Sequence, residues 1–403
     1  MATGFLSAGH LPTLFAAFFY FDMSFMVWVL LGPLGVQISQ DLALSPAEKG
    51  FMVAVPVLSG ALLRIVAGIM VDKIRPRLTG IILQVTVIAS LVAAWMIGVH
   101  SFAAILGLGL ALGVAGASFA VALPMASQWY PPQHQGTALG IAGAGNSGTV
   151  FAALFAPSLA VAFGWLNVLG MAAVPLVVAL AVFVLMAKNS DRAAAAQKTT
   201  DYLRVLRIPD AWWFMFLYSV TFGGFVGLSA SLTIYFNDRY GLSAVTAGYF
   251  TAACVFAGSF VRPIGGAVAD RVGGVFSLSI MYTVAAIALG LISLGIWPAD
   301  VALGIFVVSM LAFGMGNGAV FQLIPQGFSR EIGVMTGLVG MAGGVGGFYL
   351  ASSLGLSKQY TGSYHPGFLV FAVLAVAALI ALTMLKERWR RKWGSNKFGA
   401  ARI

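Results

Sequence analysis

Two arginines of this chain stand inside apolar stretches, and each lies eight residues before an aspartate that a basic residue follows. They are Arg64 and Arg262, at equivalent places 198 positions apart. Because a helix rises 1.5 Å per residue, each arginine lies roughly 12 Å from its aspartate along the helix axis. An arginine at mid-membrane costs about 2.5–3.5 kcal/mol on insertion scales and usually faces a cavity or a partner. Since guanidinium is a permanently charged, planar fork of donors, the pair indicates an anionic substrate.

One carboxylate, Asp22, also falls at mid-depth, in the first apolar stretch. The other acidic residues fall near predicted helix ends or in loops. A carboxylate at this depth could carry a proton, act as the counter-ion of an arginine, or reach an aqueous vestibule and only orient its helix. We therefore single out Asp22 as a candidate for proton coupling.

Further side chains at similar depth could complete a binding site for a small anion. Amide groups can donate hydrogen bonds, and aromatic rings can form the walls of a pocket. For any single aromatic residue, ordinary packing remains the alternative. The candidates are Asn146, Asn317, Tyr218, Phe119 and Phe222.

The composition shows which elements must position these residues. The chain has 403 residues, of which 60% are hydrophobic and only 8% charged, whereas soluble domains carry about 25% charged residues. Twelve apolar stretches are long enough to cross a hydrocarbon core of about 30 Å. We predict an all-α membrane protein with twelve transmembrane helices. No catalytic, metal-binding or phosphate-binding pattern occurs, so we expect neither an enzyme nor a bound cofactor or metal.

The chain repeats itself in two halves. The segment 113–124 matches 314–325, and a glycine-dense fifth helix matches the eleventh. We predict a six-helix half at 1–187, a polar linker at 188–209, a second six-helix half at 210–386 and a basic tail at 387–403. Two pseudo-symmetric six-helix bundles are typical of transporters that bind their substrate between the halves.

Two further groups of residues could control movement of the halves. Glycine lets membrane helices approach closely, and such contacts can also slide. The acidic-basic pairs at the ends of the second and eighth helices could form a latch that breaks on opening. The candidates are Gly143, Gly145, Gly148, Gly343, Gly344, Gly346, Asp72, Lys73, Asp270 and Arg271.

The basic residues predict the orientation. Of the 22 Lys and Arg residues, seventeen fall in segments that are cytoplasmic if both termini lie inside, and three fall in the opposite loops. Because cytoplasmic loops collect Lys and Arg, we expect both termini inside a cell (inner) membrane. The net charge of +10 then reflects topology and contact with lipid headgroups, not nucleic acid. We expect a monomer.

With these residues in place, the chain resembles the major facilitator superfamily over nearly its full length. Gly68–Arg77 is similar to that superfamily's loop 2–3 motif, with Arg75 where glycine is common, and Gly266–Gly274 is similar to its loop 8–9 copy. Within the superfamily the chain resembles the nitrate/nitrite porter family, because Arg64 and Arg262 occur together with two glycine-rich signatures. These are Ala142–Gly148 and Gly340–Phe348.

The resemblance implies a site for nitrate, and also for nitrite, between the halves. It implies that the two arginines clamp the anion, that an amide and a phenol hydrogen-bond it, and that two rings stack on its plane. These residues would be Arg64, Arg262, Asn146, Tyr218, Phe119 and Phe222.

The transport mode stays open between the family's two modes, nitrate/proton symport and nitrate/nitrite exchange. Asp22 favours symport, because an exchanger has no need of a titrating group inside the membrane. A major facilitator carrier for another small anion, such as formate or oxalate, is the alternative for substrate. A sensor without transport is disfavoured, since no output domain is recognisable.

Overall fold

The computed structural model describes residues 5–190, 199–328 and 331–393, which contain helices and no β-strand. Residues 191–198 of the predicted linker, 394–403 of the predicted tail and Arg330 lie outside this range. Among the described residues, twelve helices are long and apolar enough to cross a membrane. The predicted fold class is confirmed.

The twelve helices are numbered α1–α12 in chain order. The first half contains α1 (Leu11–Trp28), α2 (Pro46–Ile74), α3 (Pro76–Ile97), α4 (Phe102–Gly116 and Phe119–Ser127), α5 (Pro132–Gly143, the 3-10 turn Ala144–Ser147 and Gly148–Phe163) and α6 (Trp165–Met186). The second half contains α7 (Pro209–Tyr240), α8 (Ala244–Phe260 and Arg262–Val272), α9 (Gly274–Ser293), α10 (Ala299–Gly327), α11 (Ile332–Thr361) and α12 (His365–Trp393). Short helices occupy Phe5–Ala8, Gly35–Asp41 and, in the linker, Thr199–Leu206.

The turns that follow α2 and α8 repeat between the halves. A single residue, Arg75, separates α2 from α3, and a single residue, Gly273, separates α8 from α9. Both have positive φ, +68° at Arg75 and +102° at Gly273. Only glycine adopts this backbone region without strain. The geometry explains why glycine is common where this chain has Arg75.

Three predicted helices are interrupted. Apolar stretches of this length predict continuous helices, but α4 breaks at Ala117 and Ser118, α5 at its 3-10 turn, and α8 at Val261. In α8 the break lies two residues before Pro263, which has no N–H to donate. In α5 it falls in the glycine-rich signature, where helix propensity is lowest. Hydropathy does not register these breaks, because they change neither length nor apolar content.

The two halves meet tightly at one end of the bundle. The first and last described helices begin and end at the opposite end, where the linker helix Thr199–Leu206 also lies. We call that end the terminal side and the other end the distal side. On the distal side a Cβ on Gly50 of α2 would lie 2.8 Å from the Cα of Gly355 of α11. A Cβ on Gly248 of α8 would lie 2.7 Å from the Ala153 carbonyl oxygen of α5. The distal side is therefore closed.

Candidate functional site

Arg64 lies at the contact between the halves and is only 2% exposed. Its Nε donates to the carbonyl oxygen of Gly116 at 3.2 Å, and its Nη1 donates to that of Gly340 at 2.6 Å. Gly116 ends the first segment of α4, so the break in that helix frees the carbonyl that Arg64 uses. Gly340 belongs to α11, so this arginine joins the two halves. Three rings lie 5.1–5.3 Å from the guanidinium carbon: Trp28, Phe119 and Phe222.

Arg262 begins the second segment of α8 and is less buried. Its Nη2 donates to the Tyr218 hydroxyl at 3.4 Å, and its guanidinium carbon lies 5.5 Å from the centre of the Phe321 ring. The break at Val261 starts a new helical turn at this arginine. The two sequence-predicted arginines therefore sit among one group of aromatic rings, each on its own half.

Neither arginine is neutralised by a carboxylate. Within the described part of the chain, no Asp or Glu oxygen lies within 4.0 Å of either guanidinium. Arg64 Nη2 and Arg262 Nη1 are buried and have no acceptor among the residues that the structure describes. A buried charge normally requires a partner of opposite sign. Two positive charges with unused donors suit a small anion that accepts several hydrogen bonds.

Aromatic faces surround these donors. The Tyr218 and Phe222 rings stack 5.2 Å apart on α7, and Phe119 lies 6.4 Å from Phe321 across the halves. The Trp28 ring is stacked 6.5 Å from Phe222. The structure thus brings together the predicted wall residues.

Sequence reasoning missed two members of the aromatic group, Trp28 and Phe321. Phe321 stands one position after the residue that pairs with Phe119 in the repeat, so a search near the symmetric position could have found it. Trp28 continues a stripe of aromatic residues on one face of α1. The centre of the Phe25 ring lies 4.2 Å from that of Phe21 and 4.6 Å from that of Trp28. Spacings of three and four residues place such side chains on one helix face.

Two amides lie in the buried interior. Asn146 sits in the 3-10 turn of α5, and Asn317 sits in α10 one turn from Phe321. Both are 0% exposed, and neither amide makes a hydrogen bond to any described part of the chain. Buried polar groups are normally hydrogen-bonded. Both amides can therefore donate to a ligand.

Comparison with known proteins decides the family. A profile of the Major Facilitator Superfamily matches residues 13–351. The chain belongs to the major facilitator superfamily. The chain is 32% identical over 373 residues to the "Nitrite extrusion protein" of Bacillus subtilis (strain 168), covering 91% of this chain and 92% of that protein. These matches also place it in the nitrate/nitrite porter family, which consists of transporters and not enzymes.

Other relatives carry related names. The "Probable nitrate transporter NarT" of Staphylococcus carnosus (strain TM300) is 32% identical, over 91% of the porter and 94% of that protein. The "Probable nitrate/nitrite antiporter NarK1" of Thermus thermophilus is 31% identical, over 91% and 90%. Among solved structures, the bacterial homologue of the human lysosomal transporter Spinster superposes with a TM-score of 0.70 at 17% identity, over 94% and 97% of the two chains. This likeness shows the fold.

Asp22 lies on α1 and is 3% exposed. It accepts a hydrogen bond from the Ser147 hydroxyl at 2.7 Å. Neither arginine is within ion-pair distance of it in this conformation of the described chain. Of the three sequence-level interpretations, the counter-ion contact is not formed here.

The signature glycines of the porter play different packing roles. Gly145 and Gly148 pack on α1 within the first half, and Gly346 packs on the Ser219 backbone within the second. Gly343 lies against the Tyr218 and Phe222 rings, so it supports the aromatic wall. Among the six candidates only Gly344 crosses between the halves, where a Cβ would lie 2.5 Å from Ala61 Cβ; nothing lies within 4 Å of a Cβ on Gly143.

The predicted latch residues lie at the terminal ends of α2 and α8. They are Asp72, Lys73, Asp270 and Arg271. The linker comes close to Asp72: burial of Tyr202 and, secondarily, the Asp72 charge raise the pKa of that phenol. The same phenol also lies near Gly68 of α2, because a Cβ on Gly68 would lie 3.4 Å from the Tyr202 hydroxyl oxygen. The role of the four residues as a latch stays a prediction.

Proposed function

We propose that the porter takes up nitrate, and also accepts nitrite, by alternating access in symport with protons. The observation that carries the proposal is the pair of arginines between the halves, which have buried unused donors, no carboxylate partner and aromatic faces around them. The names of the relatives supply the identity of the anion.

The geometry supports a division of labour for a planar anion. Arg64 and Arg262 supply charge and paired N–H groups, which match two oxygens at once. Asn146 and Tyr218 donate further hydrogen bonds. Phe119 and Phe222 present flat faces that exclude water, so each electrostatic contact is stronger than in solution.

Binding can drive the movement of the halves. Without an anion the two positive charges repel each other across the interface. An anion between them attracts both, so the net electrostatic interaction across the interface becomes favourable. Arg64 already donates to Gly340 of the other half, so this side chain is positioned to respond to both the anion and the partner half. An occluded state with anion bound is therefore favoured.

Energetics support proton coupling for uptake. One nitrate entering alone opposes the membrane potential by about 2.3 kcal/mol per 100 mV. Two or more protons per nitrate would make entry electrically favourable. Asp22 is the proton-carrying group in this proposal, with both termini cytoplasmic, a monomeric porter in the inner membrane and the basic tail at the lipid headgroups.

Nitrate/nitrite exchange is the second candidate, favoured by relatives whose names contain "antiporter" and "extrusion". Nitrate uptake into proteoliposomes separates the two modes, with an inward proton gradient alone in one set and trapped internal nitrite alone in the other. Uptake with the proton gradient alone is expected. Uptake that requires internal nitrite would establish exchange, and uptake of formate or oxalate with indifference to nitrate would overturn the substrate.

A further inference from the structure

The carboxylate of Asp22 is tied to the signature turn of α5. The Ser147 hydroxyl donates to this carboxylate at 2.7 Å, and the next residue, Gly148, lies directly against the Asp22 backbone. Ser147 is 8% exposed and Asp22 is 3% exposed, so water competes little for either group. Hydrogen bonds to a charged acceptor are about twice as strong as neutral ones.

The backbone of the same turn presses directly on α1. A Cβ on Gly145 would lie 2.6 Å from the Phe21 ring, and a Cβ on Gly148 would overlap the carbonyl oxygen of Asp22. With so little space, the turn and the Asp22 segment of α1 must move together or exchange hydrogen bonds when they separate.

This turn also carries a substrate candidate. Asn146 immediately precedes Ser147, and its amide has no protein partner although it is fully buried. Thr149 fixes the other side of the turn by donating its hydroxyl to the Asn146 carbonyl oxygen at 2.8 Å. Asp22 is therefore one hydrogen bond and one peptide unit from a residue proposed to bind the anion.

Few other ionisable groups surround Asp22. The membrane spans of α4, α5 and α6 contain no Asp, Glu, Lys or Arg. The elements packed on α1 carry Arg64 in the middle of α2 and His134 in the terminal segment of α5, and α1 itself carries Tyr20, whose ring lies 4.6 Å from Phe183. The other charged residues of α2, which are Glu48, Lys49, Asp72 and Lys73, stand at its two ends. Away from helix ends, Asp22 is the one acidic residue in α1–α6.

We propose that Ser147 is the positioning residue that links protonation of Asp22 to anion binding at Asn146. The link rests on the proposed proton symport. Ionised Asp22 holds the Ala144–Ser147 turn on α1 and keeps a negative charge near the anion site. A proton on Asp22 removes that charge and weakens the hydrogen bond that the carboxylate accepts from Ser147. The turn is then less tightly bound to α1, so the Asn146 amide is free to turn toward nitrate. By reciprocity, bound nitrate favours uptake of the proton.

Equilibrium nitrate binding to the purified full-length porter, measured below and above neutral pH, tests this link. Wild-type affinity should fall as the pH rises. In Ser147→Ala the affinity at high pH should rise by about tenfold toward the low-pH value, the size expected for one hydrogen bond to a charged group. Asp22→Asn should bind nitrate with the low-pH affinity at both pH values, and adding Ser147→Ala to it should change nothing further.

Thr149→Val is the matched control, because it removes a buried hydroxyl that donates to the same turn, at the Asn146 carbonyl oxygen, and not to Asp22. It should keep the wild-type pH profile. The link would be overturned if the pH dependence of nitrate affinity were the same in Ser147→Ala as in wild type. It would also be overturned if Thr149→Val weakened this pH dependence as much as Ser147→Ala does. A wild-type porter with neither pH-dependent binding nor proton-driven uptake would instead overturn symport itself, and that result needs no variant.

Discussion

At the scale of single residues, the two arginines are not equivalent despite their symmetric positions. Arg64 is 2% exposed, donates across the interface to Gly340 and is surrounded by three rings. Arg262 is less buried, and both its hydrogen bond to Tyr218 and its ring contact with Phe321 lie within its own half. We infer that Arg64 senses closure of the halves, whereas Arg262 mainly holds the anion in the second half.

Replacing Arg64 by Lys tests the planar fork. Lysine keeps the charge but cannot present two parallel N–H groups in one plane or stack flat among the rings, so nitrate uptake should fall by about 10- to 100-fold. Uptake into proteoliposomes, after matching the amount of folded protein, measures this. Arg204→Lys is the control, because Arg204 forms an exposed ion pair with Asp201 in the linker. Wild-type uptake in Arg64→Lys would exclude the clamp.

Phe321 is expected to orient Arg262, although the sequence repeat did not predict it. Phe321→Ala removes the ring beneath the guanidinium and the edge contact with Tyr218 at 5.1 Å, so nitrate affinity should fall by about fivefold, as a cation–π contact of about 1 kcal/mol implies. Phe256→Ala, which removes an exposed ring of α8, should leave affinity unchanged. Equal affinities of the two variants would show that Phe321 only packs.

At the scale of elements, breaks and turns place the site residues. The break of α4 frees the Gly116 carbonyl that Arg64 uses, the break of α8 begins a new segment at Arg262, and the 3-10 turn of α5 carries Asn146. The one-residue turns at Arg75 and Gly273 then fix how α2 and α8 connect to their neighbours. The local irregularities therefore coincide with the candidate site.

The positive φ of Arg75 predicts stored strain. Arg75→Gly should stabilise the porter by about 1–3 kcal/mol, because φ of +68° with ψ of 155° belongs to a region that glycine alone adopts freely. Gly273→Ala, at the symmetric turn, should destabilise it by a similar amount. Thermal unfolding in detergent measures both. A lower melting temperature for Arg75→Gly would contradict the strain argument.

At the scale of the whole molecule, the distal closure joins the halves through charge as well as glycine packing. Lys49 of α2 pairs with Asp238 of α7 at 3.0 Å, and the Tyr364 hydroxyl donates to the same carboxylate at 2.7 Å. The side chains of Lys49 and Asp238 are 19% and 17% exposed. This shielding makes the pair stronger than a fully exposed one. The pair must break when the distal side opens.

Asp238→Asn should therefore favour distal opening. Losing about 1 kcal/mol of interaction shifts a two-state equilibrium about fivefold. Ser231→Cys provides the probe, since Ser231 is 7% exposed at this closed interface and the native Cys254 is buried. Labelling by a membrane-impermeant maleimide should speed up in Asp238→Asn and not in Asp201→Asn. If a variant with the charges of Lys49 and Asp238 exchanged labels at the slow wild-type rate, the ion pair is the cause. Unchanged labelling in Asp238→Asn would exclude the ion pair as a contributor to distal closure.

The sequence by itself determined the twelve spans, the repeat of the halves and the depth of Arg64, Arg262 and Asp22. These properties follow from length, hydropathy and a rise of 1.5 Å per residue, which are local. The tertiary structure decided which faces meet: Trp28 and Phe321 joined the aromatic group, and Asp22 contacted Ser147 instead of an arginine. Depth along a helix is fixed by the chain, but the direction of a side chain depends on helix rotation, on breaks and on the neighbouring surface. Those are set only when all twelve helices pack together.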